Sequence, residues 1–189
     1  MFKKQFDPGP FNLENPDSDD FATSSINITG NDRMTNAIDV ANWFLASIDR
    51  EAGDSLTHLK LQKLVYYAQA WALVQLDKAL FEENFEAWTH GPVTISLYNH
   101  FKDYGWEALP YPDSVSEFDN DIETLLDEVL EVYGGLSARD LENLTHNEAP
   151  WQKARGNLPD EVRANTFISK EIMKTYYKNL YQKLNEQSG

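Results

Sequence analysis

Residues 57–76, THLKLQKLVYYAQAWALVQL, hold the strongest helical periodicity in the chain and decide how the rest is read. Leu61, Leu64, Val65, Ala68, Trp71 and Ala72 recur at three- and four-residue steps, which puts them on one face of a helix. Leu59, Tyr66, Tyr67, Leu73 and Val74 widen that face, and Lys60, Gln62, Lys63, Gln69 and Gln75 are its polar interruptions. Other elements must wrap such a helix, so it reads as the core of a mainly α protein. Periodicity alone supplies neither a reaction nor a ligand.

The chain has 189 residues, 41% of them apolar, with 10 Phe, 5 Trp and 9 Tyr, enough for an ordinary core in one domain plus an extension. It has no cysteine, which removes disulfides, thiolate chemistry and Cys-based zinc or iron–sulfur sites. No apolar run approaches the ~20 residues of a membrane span, and no apolar signal segment follows Met1 to Lys4. The expectation is a cytoplasmic protein without membrane contact. A net charge of −15 argues against nucleic acid as a direct partner, because phosphate binding needs cations to displace counterions. A basic protein partner is easier to accommodate.

Residues 1–33 are rich in Pro, Gly, Asn, Asp and Ser without a sustained period, and read as an irregular or disordered arm. Phe2, Phe6, Phe11 and Phe21 are spaced along it as candidate partner anchors. Regular pattern begins after Met34, giving a domain over 34–189. Thr35 or Asn36 caps a first helix running to Arg50, and Thr57 caps the central one. Residues 80–88 alternate weakly and predict a short strand. Gly91-Pro92 predicts a helix start, since proline suits the first helical position, and Gly105 its end. Residues 117–133 predict an amphipathic helix with an acidic outer face. Ser137 with Asp140 forms a capping-box pattern, Pro150 opens a short helix, and Ser169 caps a last one that buries Met173, Tyr176, Leu180 and Leu184. The whole is a compact single helical domain of about six to seven helices with a small extended element.

Catalytic signatures are thin. The chain contains no H-E-x-x-H, G-x-S-x-G, P-loop or dinucleotide fingerprint, and no cofactor is implied. His90 and His146 with Glu148 are the candidate metal-ligating or acid–base set, the least favoured reading. Two stretches share a grammar: Glu86 to Val93 (EAWTHGPV) and Leu144 to Trp151 (LTHNEAPW) each place a histidine shortly before a proline, with a tryptophan nearby. The structural expectation is that each histidine satisfies backbone groups of a tight turn, with Trp88 and Trp151 plugging the core beneath.

Three ordered blocks, LKLQKLVYYAQAW (59–71), FEAWTHGPV with LYNHFKDYG (85–105) and LSARDLENLTHNEAPWQKAR (136–155), resemble the Panacea-domain family, also described as SocA-like antitoxins or phage-associated GepA-like proteins. The resemblance covers about residues 34–185, and the arm lies outside it. Its signature positions fall on Lys60, Lys63, Tyr66, Tyr67, Trp71, Trp88, His90, Gly91, Pro92, His146, Glu148, Pro150 and Trp151. The resemblance implies an antitoxin that neutralises a cognate protein toxin by direct binding, without catalytic residues of its own. The alternative is a proteolytic adaptor or phage accessory protein that engages a protease or another host protein. Within the central helix, Lys60, Lys63 and Tyr67 are expected to meet Glu148 or the His90 turn.

Overall fold

The computed structural model describes residues 35–187, and Phe2, Phe6, Phe11 and Phe21 lie outside them. Among the described residues there are seven α-helices, one 3-10 turn and a two-stranded antiparallel sheet. Helix α1 spans Ala37–Ser47, α2 His58–Gln75, β1 Phe85–Trp88, β2 Gly91–Thr94, α3 Ile95–Phe101, α4 Asn120–Tyr133, α5 Ala138–His146, α6 Ala149–Arg155 and α7 Lys170–Gln187.

Helix α2 is the axis. Fourteen of its 18 residues are buried, and α1, α3, α4, α5, α7 and β2 all pack on it. Its Thr57 cap forms as the sequence predicts, accepting a hydrogen bond from the Lys60 N–H. Asn36 closes the start of α1 through a capping box with Asp39, and Ser137 does the same for α5 with Asp140. Helix α4 lays Ile122, Leu125, Leu126, Val129 and Tyr133 inward, leaving its carboxylates largely outward. In the last helix Met173 is wholly buried as predicted and Leu180 and Leu184 are half-buried, but it is Tyr177 that is wholly buried while Tyr176 is half-buried.

The predicted helix start at Gly91-Pro92 is wrong. Residues 91–94 form β2, and α3 begins only at Ile95. Gly91 has φ +94, outside the helical region. Pro92 opposes Ala87, whose N–H bonds Thr166 and whose C=O accepts from Arg155. Ala87 therefore needs no backbone bond from Pro92, and the missing N–H costs the ladder nothing. On the other side of β1, Ile168 N–H donates to the Phe85 carbonyl and Phe167 bridges Glu86, so residues 166–168 cover that edge. No helix of the described residues is long and apolar enough to cross a membrane.

Candidate functional site

The polar residues of α2 would be costly inside a core unless each found a partner. Gln62 reaches β2, where its Oε1 accepts from the Thr94 N–H at 3.0 Å and its Nε2 donates to the Thr94 carbonyl at 3.2 Å. One side-chain amide thus stands in for a neighbouring strand. Gln69 does likewise for the segment before β1, donating to the Phe81 carbonyl at 2.9 Å and accepting from the Leu80 N–H at 2.8 Å. Lys60 donates to the Gly134 carbonyl, fastening the end of α4. Trp71 Nε1 donates to the Tyr133 hydroxyl at 3.0 Å. The bonds go to β2, to the segment before β1 and, from both Lys60 and Trp71, to the end of α4, so these side chains specify what packs where.

Lys63 is wholly buried and donates through Nζ to the Pro92 carbonyl at 3.1 Å. Burial pushes the amine down to about 7, partly opposed by the nearby Glu142 carboxylate. Gly91 is the counterpart of this lysine. A Cβ there would lie 2.7 Å from Thr145 Oγ1, 2.8 Å from Lys63 Cε and 2.9 Å from Lys63 Nζ. Gly91 and Pro92 in the turn and Lys63 beneath it are one packing unit.

The second polar centre surrounds Glu148, at the start of α6. Its carboxylate accepts from Tyr67 at 3.1 Å and from Tyr177 at 2.6 Å. Burial pushes this carboxyl up to about 8, with the two hydroxyl donors pulling against the shift. Tyr67 stacks on Tyr133 with ring centres 3.9 Å apart, and Tyr66 meets Phe85 edge-on at 5.3 Å. Tyr66, Tyr67 and Tyr177 are wholly buried, so none of them presents a surface to a partner. Pro150 opens α6, and Trp151 is buried, donating its Nε1 to the Trp88 carbonyl at 3.0 Å.

The histidines depart from expectation. His90 is exposed and pairs with Glu142 at 3.0 Å, while His146 stacks on Trp151 at 4.0 Å between ring centres. Neither binds the backbone of its turn: the Gly91 conformation and the Gln152 side chain, bonded to the His146 carbonyl, serve those turns instead. Trp88 is only half-buried, so it does not plug the core as Trp151 does. His90, His146 and Glu148 do not converge. Glu148 is enclosed by tyrosines, His90 faces solvent, and among the described residues no group of three or more His, Asp or Glu could hold a metal.

Several members of this network were not singled out from the sequence. Gln62 and Gln69 had a signal, since an amide amid a wide apolar face must be bonded if buried. Arg155 had none. It is buried, lies 4.8 Å from the Trp151 ring, and donates to the carbonyls of Ala87, Pro159, Asp160 and Val162, holding the 156–168 loop against the hairpin.

The arrangement defines a helical module in which conspicuous polar residues are engaged in internal bonds. Residues 61–152 match the family model described as antitoxin SocA-like, Panacea domain, the family that the three sequence blocks resemble. This stretch, which contains Lys63, the hairpin and Glu148, is similar to the Panacea domain. Helices α1 and α7 lie outside the match yet share its core, with α7 supplying Tyr177 to Glu148. No curated protein and no solved structure matches the chain.

Proposed function

We propose that the protein is an antitoxin that neutralises a cognate protein toxin by binding it, with no chemical step of its own. The match of residues 61–152 to the SocA-like Panacea domain carries this reading. The geometry agrees with it: Lys63 and Glu148 have strongly displaced proton affinities, but both are sealed inside the core and bonded to the fold. Displaced groups of that kind also occur in structural networks. The net charge of −15 favours encounter with a basic partner, which steers association more than it supplies affinity. We place this complex in the cytoplasm.

Co-expression with the product of the adjacent open reading frame tests the reading. Growth arrest by that product alone, relieved when this chain is present and accompanied by a co-purifying complex, is the expected result. A neighbour that is harmless, or that stays toxic beside the intact chain, overturns it. Disappearance of the bound partner only when a cellular protease is present would favour the adaptor reading.

A further inference from the structure

The hairpin has an inner face, Phe85 and Ala87, built into the core, and an outer face that the fold leaves in part uncovered. Strand register sets Phe167, Glu86 and Val93 abreast on that outer face, with Trp88 one pleat further along. Tyr98 continues the row, its ring centre 4.8 Å from that of Trp88. A cavity of about 350 Å³ opens here, walled by Trp88, Val93, Tyr98, His58 and Trp106. Trp106 is 74% exposed and Phe167 62%, the two most exposed large apolar side chains among the described residues. Contiguous apolar surface of this kind marks interaction sites on soluble domains.

Charge narrows what the cavity takes. The chain carries 31 carboxylates against 16 lysines and arginines, yet no carboxylate lines the cavity, whose rim holds Lys102 and His90. Arg163 adds a guanidinium 5.5 Å from the Trp88 ring. Of the carboxylates bonded to cavity residues, Glu86 accepts from Trp88 Nε1 at 2.7 Å and Glu142 pairs with His90, so both are engaged within the fold, while the exposed Asp103 and Glu107 flank Lys102 and Trp106 in sequence without lining the cavity. Locally the surface is aromatic with Lys102 and Arg163 as its cations, on a strongly acidic protein. An exposed aromatic cavity of this kind supplies short-range affinity, whereas the wider field governs encounter.

We propose that this outer hairpin face docks a segment of a partner protein that seats one large apolar side chain between Trp88, Tyr98 and Trp106 and sets a carboxylate against Lys102 or Arg163. The assignment deepens the toxin-binding reading and rests on it for the partner being a protein. Trp106 projects into solvent and Lys102 is exposed, so Trp106→Ala and Lys102→Glu leave the core intact, which thermal melting verifies.

The test is selection of a displayed library of random peptides on the full chain. Enriched sequences should place an aromatic or large aliphatic residue within a few positions of Asp or Glu. Their affinity should fall by roughly 10- to 30-fold on Trp106→Ala, the effect of removing an interface anchor, and should also fall on Lys102→Glu. Enrichment of basic peptides, equal binding to Trp106→Ala, or no enrichment overturns the proposal. So does self-association that Trp106→Ala abolishes, which gives the face to a second copy, or displacement of selected peptides by a peptide of residues 8–24, which gives it to this chain. Selection succeeding while co-expression fails to neutralise the toxin would refute the antitoxin reading and keep the surface. Neutralisation unchanged by Trp106→Ala and Lys102→Glu would do the reverse.

Discussion

Replacing Gly91 by alanine tests how tightly the hairpin is locked onto α2. Two costs add. A Cβ on a residue at φ +94 strains the backbone by about 1–2 kcal/mol. The same Cβ meets Thr145 Oγ1 at 2.7 Å and the end of Lys63 at 2.8 and 2.9 Å, so the lysine must leave Pro92 or the turn must move. Losing that buried bond adds about 1–3 kcal/mol. The sum, roughly 2–5 kcal/mol, is a large part of the stability of an ordinary domain. Gly53 is the control, with φ +96 and nothing within 4 Å of a Cβ, so alanine there pays only the strain. Urea unfolding followed by tryptophan fluorescence and circular dichroism should show Gly91→Ala less stable than Gly53→Ala by about 1–3 kcal/mol. Equal losses would mean that Lys63 and Thr145 yield freely and that the packing unit has been misjudged.

Gln62→Leu removes both bonds to Thr94 and strands a buried N–H and C=O, so a loss of about 2–4 kcal/mol is expected in the same assay. Glu148→Gln should change the pH dependence of stability. The folded carboxyl is raised from 4.5 to about 8 and holds its proton longer than the unfolded one, so its contribution is full below pH 4.5 and is lost as pH rises through 8. Denaturation at pH 5 and pH 9 should therefore show the variant gaining on the wild type at the higher pH, by at most about 5 kcal/mol; a pH-independent difference would count against burial as the cause. Tyr133→Phe deletes the acceptor of Trp71 Nε1 and should cost about 1–2 kcal/mol, read from the shift in urea midpoint.

The central helix was legible because apolar residues at helical spacing leave little choice, and its Thr57 cap followed from local chemistry. The hairpin was half legible: alternation in residues 85–88 pointed to β1, but the same Gly-Pro pair that can open a helix here closes a turn into β2. What decides between them is Gly91 lying against Lys63 and Thr145, a long-range contact invisible to local rules. Glu148 is similar, since its partners Tyr67 and Tyr177 lie 81 and 29 residues away. Adjacent tyrosines also blurred the register of α7, because Tyr176 and Tyr177 have the same hydrophobicity and only the buried carboxylate selects one. The outer aromatic face was illegible for the opposite reason: Trp88, Tyr98, Trp106 and Phe167 come from separate elements, and of these only Trp88 stood in a stretch that local reading singled out, where it read as core.

That Lys63 and the polar side chains bonded around α2 hold the scaffold together from inside is tested most directly by acetylation of the native protein, with each lysine followed by mass spectrometry. An amine lowered to about 7 is a better nucleophile at neutral pH than a surface lysine, so only enclosure can protect Lys63. Lys63 should be labelled no faster than the domain unfolds, gaining reactivity along the urea transition while Lys102 reacts at once. Labelling of Lys63 in the folded protein at the rate of the surface lysines would contradict the internal role assigned to it and to the turn it holds.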